Sequence, residues 1–297
     1  MLEFLFGKKP KLEDLSLYET EAREALDRFK DKYKKETRQV SGIEMSWYDS
    51  KSDQDVVVLF PGTTGKAEVW YEYALELEKD KRVVLLDFPE VETIQGFSES
   101  VSDLFSLLSI DKATIVGQSF GGVLAQCFAD QYPQCVSKLV LITSFSNTQV
   151  VTDKTRKNYV KSLSRFVKAL GDLKFESLQK SIYKQVLRGV DVAHVDNKAF
   201  WKAYYGNMLL NSSPTLLEAV HKIQIDFWNQ IQSNLGVYNK NILLVEAKTD
   251  ASYDREEKKA LLKRYPKASV FEIAGSSNLS HIREKEAIVK KILDKKS

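Results

Sequence analysis

The sequence predicts one α/β domain, a doubly wound and mostly parallel sheet with a helical cap inserted into it and an amphipathic helix ahead of it. Three observations carry this. Short apolar runs alternate with helical stretches beyond Val40, strand-like runs stop between roughly residues 151 and 237, and they resume at Ile242. With 297 residues, 43% of them hydrophobic, the chain can fill one large core.

Taken in order, Leu15, Tyr18, Ala22, Leu26, Phe29 and Tyr33 recur every three or four residues between Leu12 and about Thr37, the period of an amphipathic helix. Region 1–40 is therefore expected to be a helical extension whose apolar face packs on the domain or on a second subunit. The alternative is a membrane-surface anchor aided by Phe4 and Phe6. The runs Val56 to Phe60, Val83 to Leu86, Ala113 to Val116 and Leu139 to Ile142 are continuous and apolar, as buried parallel strands are. Ile242 to Val245 and Val270 to Ile273 complete a core made of 41–150 and 238–297. The cap, 151–237, has helical periodicity and carries Trp201, Tyr204, Tyr205, Phe227 and Trp228, which either pack in the core or line an acyl pocket.

Charge and cysteine content narrow the function. Lys and Arg number 44 and Asp and Glu 41, a net +3 spread along the chain, so a dedicated nucleic-acid binder is not expected. Cys127 and Cys135 are too few for a disulfide-stapled scaffold, which fits a reducing cytoplasm. Met1 to Phe6 is short, contains Glu3 and runs into Lys8 and Lys9, unlike a cleavable signal, and no transmembrane span is expected. With three histidines and no H-E-x-x-H or C-x-x-C, no metal is expected; without G-x-G-x-x-G, no cofactor is either. Cys127 is expected to be buried and inert.

The strongest motif is Gly117-Gln118-Ser119-Phe120-Gly121, set between the run ending at Val116 and the helical stretch Val123 to Gln131. A G-x-S-x-G placed between strand and helix is a nucleophile elbow. Its small neighbours let a strained turn project the serine hydroxyl, and the N–H after the serine faces a developing oxyanion. Ser119 is thus the candidate nucleophile and Phe120 N–H one oxyanion donor. Thr63, in Pro61-Gly62-Thr63-Thr64-Gly65 after an earlier strand, supplies the second, unless that loop only reverses the chain. Asp250, after the run Ile242 to Val245, is placed to orient an imidazole, or instead caps the following helix.

Over about 41 to 295 these residues resemble the α/β-hydrolase superfamily, with the elbow, acid and final loop in its order. Pro61 with Gly65-Lys66-Ala67-Glu68-Val69, Leu124-Ala125-Gln126, Ser144-Phe145-Ser146-Asn147-Thr148 and Tyr265-Pro266-Lys267-Ala268 are similar to the maspardin-like branch. The superfamily's base is a histidine in a final loop of the type I-P-G-A-G-H-x-P-H. Here that stretch is Ile273-Ala274-Gly275-Ser276-Ser277-Asn278-Leu279-Ser280-His281, which puts Asn278 at the base position and His281 on a second, usually non-catalytic histidine.

An amide cannot accept the serine's proton at neutral pH, and losing the base of a serine triad lowers turnover by ~2 × 10⁶ in a known case. The resemblance therefore implies a weak or non-catalytic protein that binds a small apolar or acyl ligand, or a protein partner. The alternative is a serine hydrolase of carboxylic esters or related acyl compounds, with Ser119, His281 and Asp250 as its triad. For that, a flexible Gly275-Ser276-Ser277 would have to let His281 reach Ser119. Against it, Ser280 is expected to cap the last helix, which carries Ile282, Ile288 and Ile292, leaving His281 along the rim. His194 and His221, in the cap, are expected to be surface or packed residues.

Overall fold

The computed structural model describes residues 11–146, 187–193, 195–230, 238–249, 255–275, 277 and 279–294, with helical fragments at 157, 160–165, 167–168 and 184. Eight strands form one sheet: β1 (Glu36–Val40), β2 (Ile43–Asp49), β3 (Val56–Phe60), β4 (Arg82–Leu86), β5 (Ala113–Gln118), β6 (Val136–Ile142), β7 (Ile242–Ala247) and β8 (Ser269–Ile273). Their order is β1-β2-β4-β3-β5-β6-β7-β8. Only the β1–β2 and β2–β4 pairs are antiparallel; every later pair is parallel.

The central strands carry buried apolar runs, Val57 to Phe60, Val83 to Leu86 and Leu139 to Ile142, because both faces are covered. Val58 and Phe60 point to one face, with helices α3 (Ile94–Leu107), α4 (Phe120–Gln131) and α6 (Pro214–Gln230). Val57 and Leu59 point to the other, with α1 (Glu21–Lys32), α2 (Tyr71–Leu77), α5 (Lys198–Leu210) and α8 (Lys285–Leu293). Helix α7 (Arg255–Arg264) joins the first face through Leu261.

The N-terminal helix is shorter than its periodicity implied. Thr20 caps it by accepting from Arg23 N–H, and it ends at Lys32, where Tyr33 turns extended. Residues 36–40 then pair with β2 across a turn in which Ser41 and Gly42 both have positive φ, a hairpin the sequence reading missed. The packing expectation holds: Ala22, Ala25, Leu26 and Phe29 are buried, and Phe29 stacks on Tyr33 with ring centroids 4.8 Å apart. Phe4 and Phe6 lie outside the described residues.

Polar ties fix the cap helices to the N-terminal segment and to the core. Asn207 of α5 pairs with Glu13 in both directions, accepting from its N–H at 2.8 Å and donating to its carbonyl at 2.7 Å. Helix α6 is held where Asp226 accepts from Ile94 N–H, Thr215 donates to Glu90 and Lys222 meets Glu92. No helix among the described residues is long and apolar enough to cross a membrane.

Candidate functional site

Ser119 occupies the junction of central strand β5 and helix α4 with φ 55° and ψ −125°, a conformation costly for a residue with a Cβ. The glycines explain how the chain tolerates this turn. A Cβ on Gly117 would lie 2.3 Å from the Gly121 carbonyl oxygen, and one on Gly121 would lie 2.6 Å from the Pro61 oxygen. The strand therefore enters the turn in contact with the helix, and the helix abuts the 61–65 loop.

Thr63 lies in that loop, in a turn closed by Gly65 N–H donating to Gly62 O at 3.0 Å. Phe120 begins α4, whose first turn holds no acidic residue. The Pro61–Gly121 contact thus brings the Thr63 segment to the start of the helix carrying Phe120. Cap helix α6 closes over the loop, since a Cβ on Gly65 would lie 3.1 Å from Leu216 and 3.2 Å from Val220. The Thr64 hydroxyl is buried there with no hydrogen-bond partner among the described residues.

His281 is 4% exposed, not along a rim. Its ring packs against Trp70 and Tyr73, centroids 5.7 and 6.0 Å away, and its carbonyl accepts from the Tyr73 hydroxyl at 3.0 Å. Ser280 does not cap the last helix. It sits in a 3₁₀ turn, Ser280–Ile282, where its hydroxyl accepts from Ser277 N–H at 3.2 Å, and α8 starts only at Lys285. The expected looseness of Gly275 to Ser277 is not what the described part of the loop displays. Gly275, at φ 134°, fits against Ser280 where a Cβ would be 2.1 Å from the hydroxyl, and Ser277 is buried with its hydroxyl donating to Gly189 O. Asp250, Asn278, Ser276 and His194 lie outside the described residues.

The cap aromatics divide into two groups. Trp201 and Tyr204 pack in the core against Tyr71, Tyr205 packs on Trp201 and Tyr204, and the Tyr204 hydroxyl donates to Glu68 O at 2.7 Å, as the core alternative for these aromatics expects. Burial pushes the Tyr204 and Tyr205 phenols up. Phe227 and Trp228 instead approach the turn, Phe227 edge-on to Phe120 at 6.0 Å and Trp228 stacked on Phe145 at 6.1 Å. His221 Nδ1 lies 2.6 Å from Leu217 O, and burial lowers its pKa. Cys127 is a buried thiol without a disulfide. No group of three metal-ligating side chains occurs among the described residues.

Sequence reasoning missed the loop after β6. Ser144 and Ser146 are buried, and Ser144 donates to the Ser119 carbonyl. The signal was the string Ser144-Phe145-Ser146, noted only as a likeness.

An eight-stranded, mostly parallel sheet with a serine at the positive-φ turn after its central strand defines the class, and comparison agrees. The alpha/beta hydrolase fold profile matches residues 55–284, and the chain belongs to that family. Maspardin of Danio rerio is 35% identical over 111 residues, 35% of this chain and 35% of its own length. Human maspardin is 32% identical over 110 residues, 35% of this chain and 36% of its own length. The matched stretch thus spans about a third of these relatives. Among solved structures, an enol-lactonase from Burkholderia xenovorans LB400 aligns with TM-score 0.69 at 15% identity, covering 87% of this chain and 98% of its own. A thermophilic esterase from Thermogutta terrifontis aligns with TM-score 0.68 at 17% identity, covering 87% and 96%. These two likenesses concern the fold alone.

Proposed function

We propose that this chain is a maspardin-like protein that keeps the serine nucleophile elbow of the α/β-hydrolase fold but has no competent base. In this reading it binds a small apolar or acyl ligand, or a protein partner, in the cytoplasm with weak or no turnover. One observation carries the reading: His281 is enclosed, with its ring against Trp70 and Tyr73 and its carbonyl held by Tyr73. By its place in the sequence Asn278 takes the base's position, where an amide can hold a ligand or a water but cannot relay the proton of Ser119. Helix α6 of the cap, through Leu216 and Val220, lies against the Gly65 end of the Thr63 loop. Phe120 and Thr63 N–H groups receive a carbonyl or carboxylate oxygen, and Asp250 keeps the place of the orienting acid.

A second reading, a serine carboxylester-type hydrolase using Ser119, His281 and Asp250, is favoured by one contact. Trp70, which packs on His281, donates its indole N–H to Phe60 O at 2.9 Å, at the root of the Thr63 loop. The two readings separate by turnover of a short activated ester and by fluorophosphonate labelling, measured for wild type, Ser119→Ala and His281→Ala. The expected result is slow labelling confined to Ser119 and a rate within about threefold of wild type for His281→Ala, since general-base assistance is worth 10²–10⁴ where it exists. Robust wild-type turnover abolished by His281→Ala would overturn the first reading and establish the second.

A further inference from the structure

The Ser119 peptide is gripped from strand β6 in a way that neither the motif nor the oxyanion assignment requires. Ser119 N–H donates to Ile142 O at 3.1 Å, and the Ser144 hydroxyl donates to Ser119 O at 2.9 Å. The same oxygen accepts from Gly122 N–H at 3.0 Å. Ser144 is 1% exposed, and its hydroxyl fills the space a Gly122 side chain would take, 2.3 Å from an added Cβ. Gln126 secures the segment from the other side, donating to Phe145 O at 2.8 Å and Gly122 O at 3.1 Å. Thr143, immediately before, is held at φ 41°, an outlier for a β-branched residue, with its N–H on Val245 O at 2.7 Å.

The Ser119 carbonyl and the Phe120 N–H belong to one planar peptide and point in opposite directions. A donor fixed on the carbonyl therefore fixes where the N–H points. It also polarises the peptide and strengthens that N–H as a donor. We infer that Ser144 is a positioning residue that aims and polarises the Phe120 N–H of the oxyanion site through the Ser119–Phe120 peptide, with Gly122 and Gln126 making room for it and holding it. This rests on the reading of Ser119 and Phe120 as the ligand-contacting pair. It gives the strings Leu124-Ala125-Gln126 and Ser144-Phe145-Ser146 a common physical purpose.

The test is the kinetics of fluorophosphonate labelling at Ser119, followed by intact mass and resolved into the maximal inactivation rate and the half-saturating concentration. Ser144→Ala is compared with wild type, and the pair is repeated in an Asn278→His background. The phosphoryl oxygen occupies the oxyanion site, so Ser144→Ala should lower the maximal rate at least about tenfold and leave half-saturation within twofold, as small misplacements do. Ser100→Ala is the control. It removes a part-buried hydroxyl bond to a backbone carbonyl, Ser100 to Gly96 O at 2.7 Å, within α3, and should lower stability without changing the rate. An unchanged maximal rate in Ser144→Ala, or a loss matched by Ser100→Ala, refutes the inference. A wild type that labels fast through His281 refutes the reading of a missing base and leaves the Ser144 ratio to be judged on its own. If neither background labels, hydrogen exchange at 117–124 decides: faster exchange in Ser144→Ala with β7 unchanged supports the grip, and unchanged exchange refutes it.

Discussion

Gly121→Ala tests whether contact between the Thr63 loop and the start of α4 sets the reactivity of Ser119. The added Cβ would lie 2.6 Å from Pro61 O and 3.0 Å from Phe60 O, all backbone atoms that cannot rotate away. An ordinary contact needs about 3.5 Å, so loop and helix must separate by roughly 0.5–1 Å. Overpacking costs about 1–3 kcal/mol, and replacing a helical glycine by alanine returns about 1 kcal/mol, leaving a net loss of roughly 0–2 kcal/mol. At about 2–4 °C per kcal/mol, Tm should fall by less than about 8 °C. In the proposed reading the loop carries Thr63 and the helix Phe120 as the two oxyanion donors, so reactivity should fall far more, by about 10² for a displacement near 1 Å. The assay is fluorophosphonate labelling of Ser119 beside a thermal melt. Gly42→Ala serves as control, since that glycine has φ 84° and nothing within 4 Å of an added Cβ, so only stability should change. Labelling of Gly121→Ala within twofold of wild type, despite a lowered Tm, would refute the coupling.

Three further outcomes are expected. Asn278→His should raise turnover of a short activated ester at least about tenfold, because the proposed reading puts residue 278 at the base position and the variant supplies a proton acceptor there; no gain in a variant that keeps the wild-type Tm would count against Asn278 as the missing base. Burial lowers the His221 pKa below its ordinary 6.5, so the unfolded chain binds the proton first. Stability should therefore be full above about pH 6.5 and decline as pH falls toward the lowered folded pKa, and His221→Gln should flatten that part of a Tm–pH profile. Asn207→Leu removes both bonds to Glu13, and proteolysis near residues 11–18 should quicken while the melt of the sheet stays near wild type.

How far the site could be read from the sequence follows from which forces act locally. The central strands were legible because burial on both faces leaves runs such as Val56 to Phe60 without polar interruption, and the turn at Ser119 because Gly117 and Gly121 permit backbone contacts that a Cβ would forbid. Strands β1 and β2 were not, since Glu36–Val40 lies at the sheet edge, is largely polar, and is set by the Ser41-Gly42 turn and by pairing with β2 rather than by any apolar period. The place of His281 was misread for a similar reason. A serine ahead of a helical stretch looks like a cap, but Gly275 approaches so closely that the Ser280 hydroxyl turns back onto Ser277 N–H, and His281 is carried inward against Trp70 and Tyr73. The grip of Ser144 on Ser119 was hidden because the two residues sit in the turns after different strands, 25 residues apart along the chain. A hydroxyl that acts through a neighbour's carbonyl has no spacing rule to betray it, so its role emerges only once the peptide it holds is seen to point its N–H the other way.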